Sequence, residues 1–168
     1  MMRTKNSYFI LLLIALPFAS IHGQEMDENL KLLEPFIHKS WEAKEPRFGE
    51  EAIIQRSFEI IENGKAIKRT DAFKALNATS EYLFYWDFEK KEIGVFGIHN
   101  NGNFVHGHAR EEDGKTLIYG FGTFPDMKLE FRNTYELGED GTYLDKYYRF
   151  EEGEWKPGHS WVFYEKTE

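Results

Sequence analysis

The sequence predicts an all-β domain, an antiparallel up-and-down barrel of about ten strands with a short N-terminal helix. Three observations carry this. From about residue 40 onward, runs rich in Ile, Val, Phe, Tyr and Thr alternate apolar with polar residues, the period of a half-buried strand. Asn-Gly or Asp-Gly pairs separate several of those runs, at Asn63-Gly64, Asn101-Gly102, Asp113-Gly114 and Asp140-Gly141. Such pairs favour tight hairpins because both positions tolerate positive φ. A helical period is confined to 27–36. Many short strands joined by tight turns suit a barrel or a sandwich.

The 168 residues include 21 Lys plus Arg, 29 Asp plus Glu and no Cys, for a formal charge of −8. This length suits one domain. An acidic chain without a clustered basic face excludes nucleic acid as the expected partner. The absence of Cys excludes disulfides, thiolate metal sites and cysteine nucleophiles. Arg3 and Lys5 precede an apolar stretch at 8–19, which turns polar at 20–24. That order reads as a secretory signal peptide, 1–23, cleaved after Gly23. The stretch is short for a membrane span, which needs roughly 20 residues. Residues 24–168 are then one secreted or periplasmic domain with no membrane span.

In the helix, Asp27 serves as N-cap, and Leu30, Leu33 and Phe36 share one face at spacing three. The turns then set the strand register, and register sets which side chains face inward. A turn at Asn63-Gly64 places Ile60 opposite Ile67, Phe58 opposite Arg69, Arg56 opposite Asp71 and Ile54 opposite Phe73. A four-residue loop at 88–91 aligns Trp86 with Ile93 and Phe84 with Val95. Read as a two-residue turn, Asn101-Gly102 places His99 opposite Phe104 and Gly97 opposite His106. Asp113-Gly114 then pairs Arg110 with Leu117, His108 with Tyr119 and His106 with Phe121, all inward. Residues 129–137 form the cleanest alternation, with Leu129, Phe131, Asn133, Tyr135 and Leu137 inward. Across Asp140-Gly141 the expected inward partners are Leu144, Lys146, Tyr148 and Phe150. A turn at Glu152-Gly153 aligns Phe150 with Trp155, Lys146 with His159 and Leu144 with Trp161.

This interior is rich in rings yet also carries charge. Buried charges cost several kcal/mol unless paired or solvated, so the pattern predicts a wet cavity that binds a small ligand. The candidate ligand-binding residues are Arg56, Arg69, Tyr82, Trp86, His106, His108, Tyr119, Tyr135, Lys146, His159 and Trp161. Arg69 is the candidate anion receptor, because its planar fork grips a carboxylate in two places, and Asp71 is expected to occupy Arg56. His106 and His108 share a strand face with His99 diagonally across the hairpin, an alternative site for zinc or acid–base chemistry in an enzyme. His159, in an aromatic setting, is an alternative haem ligand. No nucleophile elbow or Ser-His-Asp arrangement appears. The leading expectation is a non-enzymatic barrel without a cofactor, holding a small, mostly apolar ligand with a polar or anionic end.

Four stretches carry a resemblance: Leu32-Leu-Glu-Pro-Phe-Ile-His-Lys-Ser-Trp41, Glu62-Asn-Gly-Lys-Ala-Ile67, Tyr85-Trp-Asp-Phe-Glu-Lys-Lys-Glu-Ile93 and Gly153-Glu-Trp-Lys-Pro-Gly-His159. The first looks like the opening of calycin-type barrels, in which a Trp after a Gly plugs one end; here His38 or Lys39 stands where that Gly is expected. Together the stretches resemble secreted bacterial lipocalin-like proteins without established function, and more distantly nitrobindin and fatty-acid-binding barrels. The resemblance implies a calycin-like barrel. Its nitrobindin side implies haem at His159. Its fatty-acid-binding side implies an apolar ligand whose head group meets Arg69 or Arg56.

Overall fold

Leu30, Leu33 and Phe36 recur every third residue, the repeat of a 3₁₀ helix, and so form one row on one side. A computed structural model, which describes residues 25–49, 52–124 and 127–166, places them in a nine-residue 3₁₀ helix at Glu28–Phe36 with all three buried. The Asp27 side chain caps it by accepting from the Asn29 N–H. The expected signal peptide lies outside the described residues. Among the described residues, no helix is long and apolar enough to cross a membrane.

Ten strands follow: β1 (Ser40–Lys44), β2 (Ile53–Ile61), β3 (Ala66–Phe73), β4 (Ala78–Asp87), β5 (Glu92–His99), β6 (Phe104–Glu112), β7 (Lys115–Phe124), β8 (Met127–Leu137), β9 (Tyr143–Glu151) and β10 (Glu154–Glu165). Each pairs antiparallel with its sequence neighbours, and β1 pairs with β10 to close the barrel. Closure leaves no free sheet edge. The helix covers one end, where Trp41 donates its indole N–H to the Phe36 carbonyl at 3.1 Å. His38, one of the two residues standing where a Gly is expected, has φ 59°, a left-handed backbone that suits glycine better than histidine.

Pairing around Asn63-Gly64, across 88–91 and across Asp113-Gly114 is as the sequence predicts. At Asp113-Gly114 both residues have positive φ, as a two-residue hairpin requires. Two other turns depart from expectation. At 100–102 the Gly102 N–H bonds the His99 carbonyl, and the His99 N–H bonds the Asn103 carbonyl. At 139–141 the Gly141 N–H bonds the Gly138 carbonyl, and the Gly138 N–H bonds that of Thr142. Each is a three-residue loop in which only the closing glycine is left-handed, with φ 85° at Gly102 and 80° at Gly141. In each the Asx side chain before the glycine, Asn101 or Asp140, accepts from the backbone N–H two residues on.

One extra loop residue moves a strand's side chains to the opposite face. Val105 therefore pairs with Gly97 and Phe104 with Ile98, and β6 turns Phe104, His106, His108 and Arg110 outward together with their β7 partners Tyr119 and Phe121. Likewise Tyr143 and Asp145, not Leu144 and Lys146, share the inner face with Leu137 and Tyr135. Phe150 pairs with Trp155 as expected, but both lie outside. A bulge at Gly158-His159 then reverses the parity again. His159, Trp161 and Phe163 thereby return to the inner face.

Candidate functional site

The barrel interior divides into layers. Near the helix, Phe36, Trp41, Phe58, Phe84, Tyr143 and Phe163 fill the bore with Leu30 and Leu33. Their rings meet edge-on or stacked, with centroids 5.0 Å apart for Phe36 and Tyr143 and 4.9 Å for Tyr143 and Phe163.

Above this plug lies a layer of charge. Arg56, on β2, grips Asp71 of β3 in two places, Nε to Oδ1 at 2.7 Å and Nη2 to Oδ2 at 3.2 Å. Its Nη1 donates to Asp145 of β9 at 2.6 Å and to the Tyr143 hydroxyl at 3.0 Å. Arg69, on β3, donates to the Tyr135 hydroxyl and lies 3.1 Å from Asp71. Its guanidinium sits 3.5 Å from the centre of the Tyr82 ring, a favourable cation–π stack. The Asp145 carboxylate, fully buried, accepts also from Asn133 and lies 3.4 Å from His159 Nε2. Burial alone would raise its pKa; Arg56 foremost, and then His159, hold it far below the usual carboxylate range. The Tyr135 hydroxyl is pushed up by burial, opposed by the two arginines.

Over the charge layer is a cavity of about 380 Å³ beneath the end away from the helix. Its walls are mostly apolar, among them Ile54, Val95, Val105, Ile118 and Phe131, with rings from Tyr82, Tyr147 and Trp161. The His159 imidazole is stacked between Trp161, 3.5 Å away, and Tyr147, 5.3 Å away. Two glycines make room for rings on this wall. A Cβ at Gly97 would meet the Tyr82 ring at 2.3 Å, and one at Gly158 would meet the Tyr147 ring at 2.4 Å. Toward the mouth, Ser80 Oγ lies 2.8 Å from His99 Nδ1, with the Tyr82 hydroxyl 3.4 Å from Nε2. Burial, and secondarily Arg69, lower the His99 pKa, which favours the neutral imidazole. At the rim, Trp161 donates its indole N–H to Glu45 at 2.6 Å, and Arg47 grips the same carboxylate.

Five of the eleven predicted site residues, Arg56, Arg69, Tyr82, His159 and Trp161, line this one cavity. Tyr135 lies beneath it, bonded to Arg69. Trp86 faces inward but packs against the apolar core. The other four are corrected by the longer loops. His106, His108 and Tyr119 face outward on β6 and β7, where His108 lies 3.2 Å from Asp87 and Tyr119 donates to Glu92 at 2.6 Å. Lys146 lies outside on β9, opposite Thr134. Asp145, Tyr147 and Asn133 complete the site; the strand alternation placed Asn133 inward, whereas the parity at Asp140-Gly141 hid the other two.

The barrel wall thus separates His99 from His106 and His108, so the three do not form one cluster. Among the described residues no group of three or more His, Cys, Asp or Glu side chains is placed to hold a metal ion. For a haem at His159, the imidazole ring is stacked against Trp161 and Tyr147, and its Nε2 already faces the Asp145 carboxylate at 3.4 Å. Compared with known proteins, the chain matches no family model and no curated sequence.

Proposed function

We propose that this chain is an exported, lipocalin-like binding protein whose cavity takes up a small, largely apolar ligand with a polar end. The observation that carries the reading is the cavity of about 380 Å³, set over a paired charge layer and walled by aliphatic side chains and rings. Binding sites combine an apolar enclosure of this size with a few polar groups that orient the guest. Here Tyr82, His99, Asn133 and His159 are those groups.

Native mass spectrometry of the full chain, purified under mild conditions, tests the proposal. The expected result is a co-purified small molecule, or uptake of an added amphipathic bicycle such as 2-naphthalenemethanol. Val105→Trp, which fills the cavity from β6, is expected to abolish uptake while leaving the barrel folded. An empty barrel that takes up no probe overturns the reading. The same spectrum reports the export expectation, since cleavage after Gly23 leaves a chain beginning at Gln24.

A further inference from the structure

We infer that the polar end of the ligand is uncharged, and that the cavity selects neutral amphipathic molecules against carboxylates of the same shape. The inference rests on the binding reading above and narrows it. Arg56 and Arg69 are the cations that line the cavity, and at first sight they invite an anion. Their charge is already met. Asp71 lies between them, paired with both, and Asp145 takes the inner side of Arg56. Two guanidiniums therefore face two carboxylates. At the rim Arg47 is paired with Glu45 and Arg149 with Glu151, which again balances.

Hydrogen bonding agrees with the charge balance. The nitrogens of Arg56 meet Asp71, Asp145 and the Tyr143 hydroxyl, while Arg69 meets Asp71 and the Tyr135 hydroxyl with its flat face against Tyr82. A carboxylate entering this space loses its water and finds both guanidinium charges already balanced by Asp71 and Asp145. The buried Arg69 Nε–H, which lacks a hydrogen-bond partner among the described residues, is a single donor that a neutral oxygen can satisfy, and an unpaired buried charge is far costlier than an unpaired dipole. A hydroxyl or carbonyl meets neutral partners instead: the Ser80 hydroxyl, the Tyr82 hydroxyl, the His99 imidazole and, for a hydroxyl, the Asn133 amide oxygen, whose N–H groups are taken by Asp145 and the Lys146 carbonyl. The rings of Tyr82, Tyr147 and Trp161 suit a flat apolar body.

The test compares 2-naphthalenemethanol with 2-naphthoate by isothermal titration calorimetry on the full chain, at about pH 8.5, above the ordinary imidazole range. The alcohol is expected to bind at least about tenfold more tightly than the carboxylate. Asp71→Asn keeps the side chain's size and adds one net positive charge, and is expected to reverse the order. Equal or tighter binding of the carboxylate by the unaltered chain overturns the inference and leaves the binding reading standing. Binding of neither probe overturns both. If Asp71→Asn does not fold, the comparison on the unaltered chain still decides.

Discussion

The two halves of the barrel are built from the same ten strands and do opposite things with their bore. Near the helix, rings and leucines meet with no room left, and Leu30, Leu33, Phe84, Tyr143 and Phe163 lose essentially all contact with solvent. Toward the mouth, similar inward positions carry Val95, Val105, Gly97 and Ser80, and space opens. Between them lies the layer of Arg56, Arg69, Asp71 and Asp145. The difference teaches that side-chain size, and not backbone topology, decides where a barrel is solid and where it is hollow. The charge layer serves both halves: it hydrogen-bonds the plug's tyrosine hydroxyls from above and forms the cavity floor from below.

The sharpest way to break this division is to unbalance the layer. Asp145→Ala leaves Arg56 buried beside a gap, and loss of one partner of a buried pair costs about 3–5 kcal/mol. The urea midpoint is expected to fall accordingly, with the cavity losing its floor at the same time. Leu33→Ala acts on the plug alone. It is expected to cost about 2–5 kcal/mol, again read from the urea midpoint, while affinity for 2-naphthalenemethanol stays unchanged.

A smaller effect sharpens the mouth. The hydrogen bond from Arg47 above all, against burial and aided by Trp161, holds Glu45 at about 2. A carboxylate whose pKa is depressed on folding contributes stability above its unfolded value, here near 4.5, and loses that contribution as pH falls through its folded value. The stability advantage of the unaltered chain over Glu45→Gln is therefore expected to shrink between about pH 4.5 and 2. Smallest is His38→Gly at the helix end, which relieves a left-handed histidine and is expected to stabilise by up to about 1 kcal/mol in the same urea assay.

How far the sequence foretold these halves depends on loop parity. The ten-stranded barrel, the capped helix and the Arg56–Asp71 pair follow from local signals that the structure repeats, because Asn63-Gly64 and Asp113-Gly114 sit in loops of even length. Asn101-Gly102 and Asp140-Gly141 look alike as dipeptides, yet each ends a loop of three. The usable difference lies in the residue after the glycine: Lys65 and Lys115 in the even cases, against short polar Asn103 and Thr142, whose N–H groups bond the Asx side chains, in the odd ones. The one extra residue before β6 moved His106, His108 and Tyr119 from the expected interior to the outer wall, and the one before β9 moved Lys146. His159 and Trp161 reached the interior as expected because the bulge at Gly158-His159 restored the parity that the loop before β9 had reversed.

The central claim is that the open half holds a guest while the plug and the outer wall do not. An amide chemical-shift titration with 2-naphthalenemethanol tests it most directly. The account predicts saturable shifts at Ser80, His99, Val105, Asn133 and Trp161, with Leu30, Trp41 and Tyr143 unmoved. Shifts gathered instead on the exposed outward rings of Phe96, Phe104 and Phe121, with the inner residues unmoved, would contradict it.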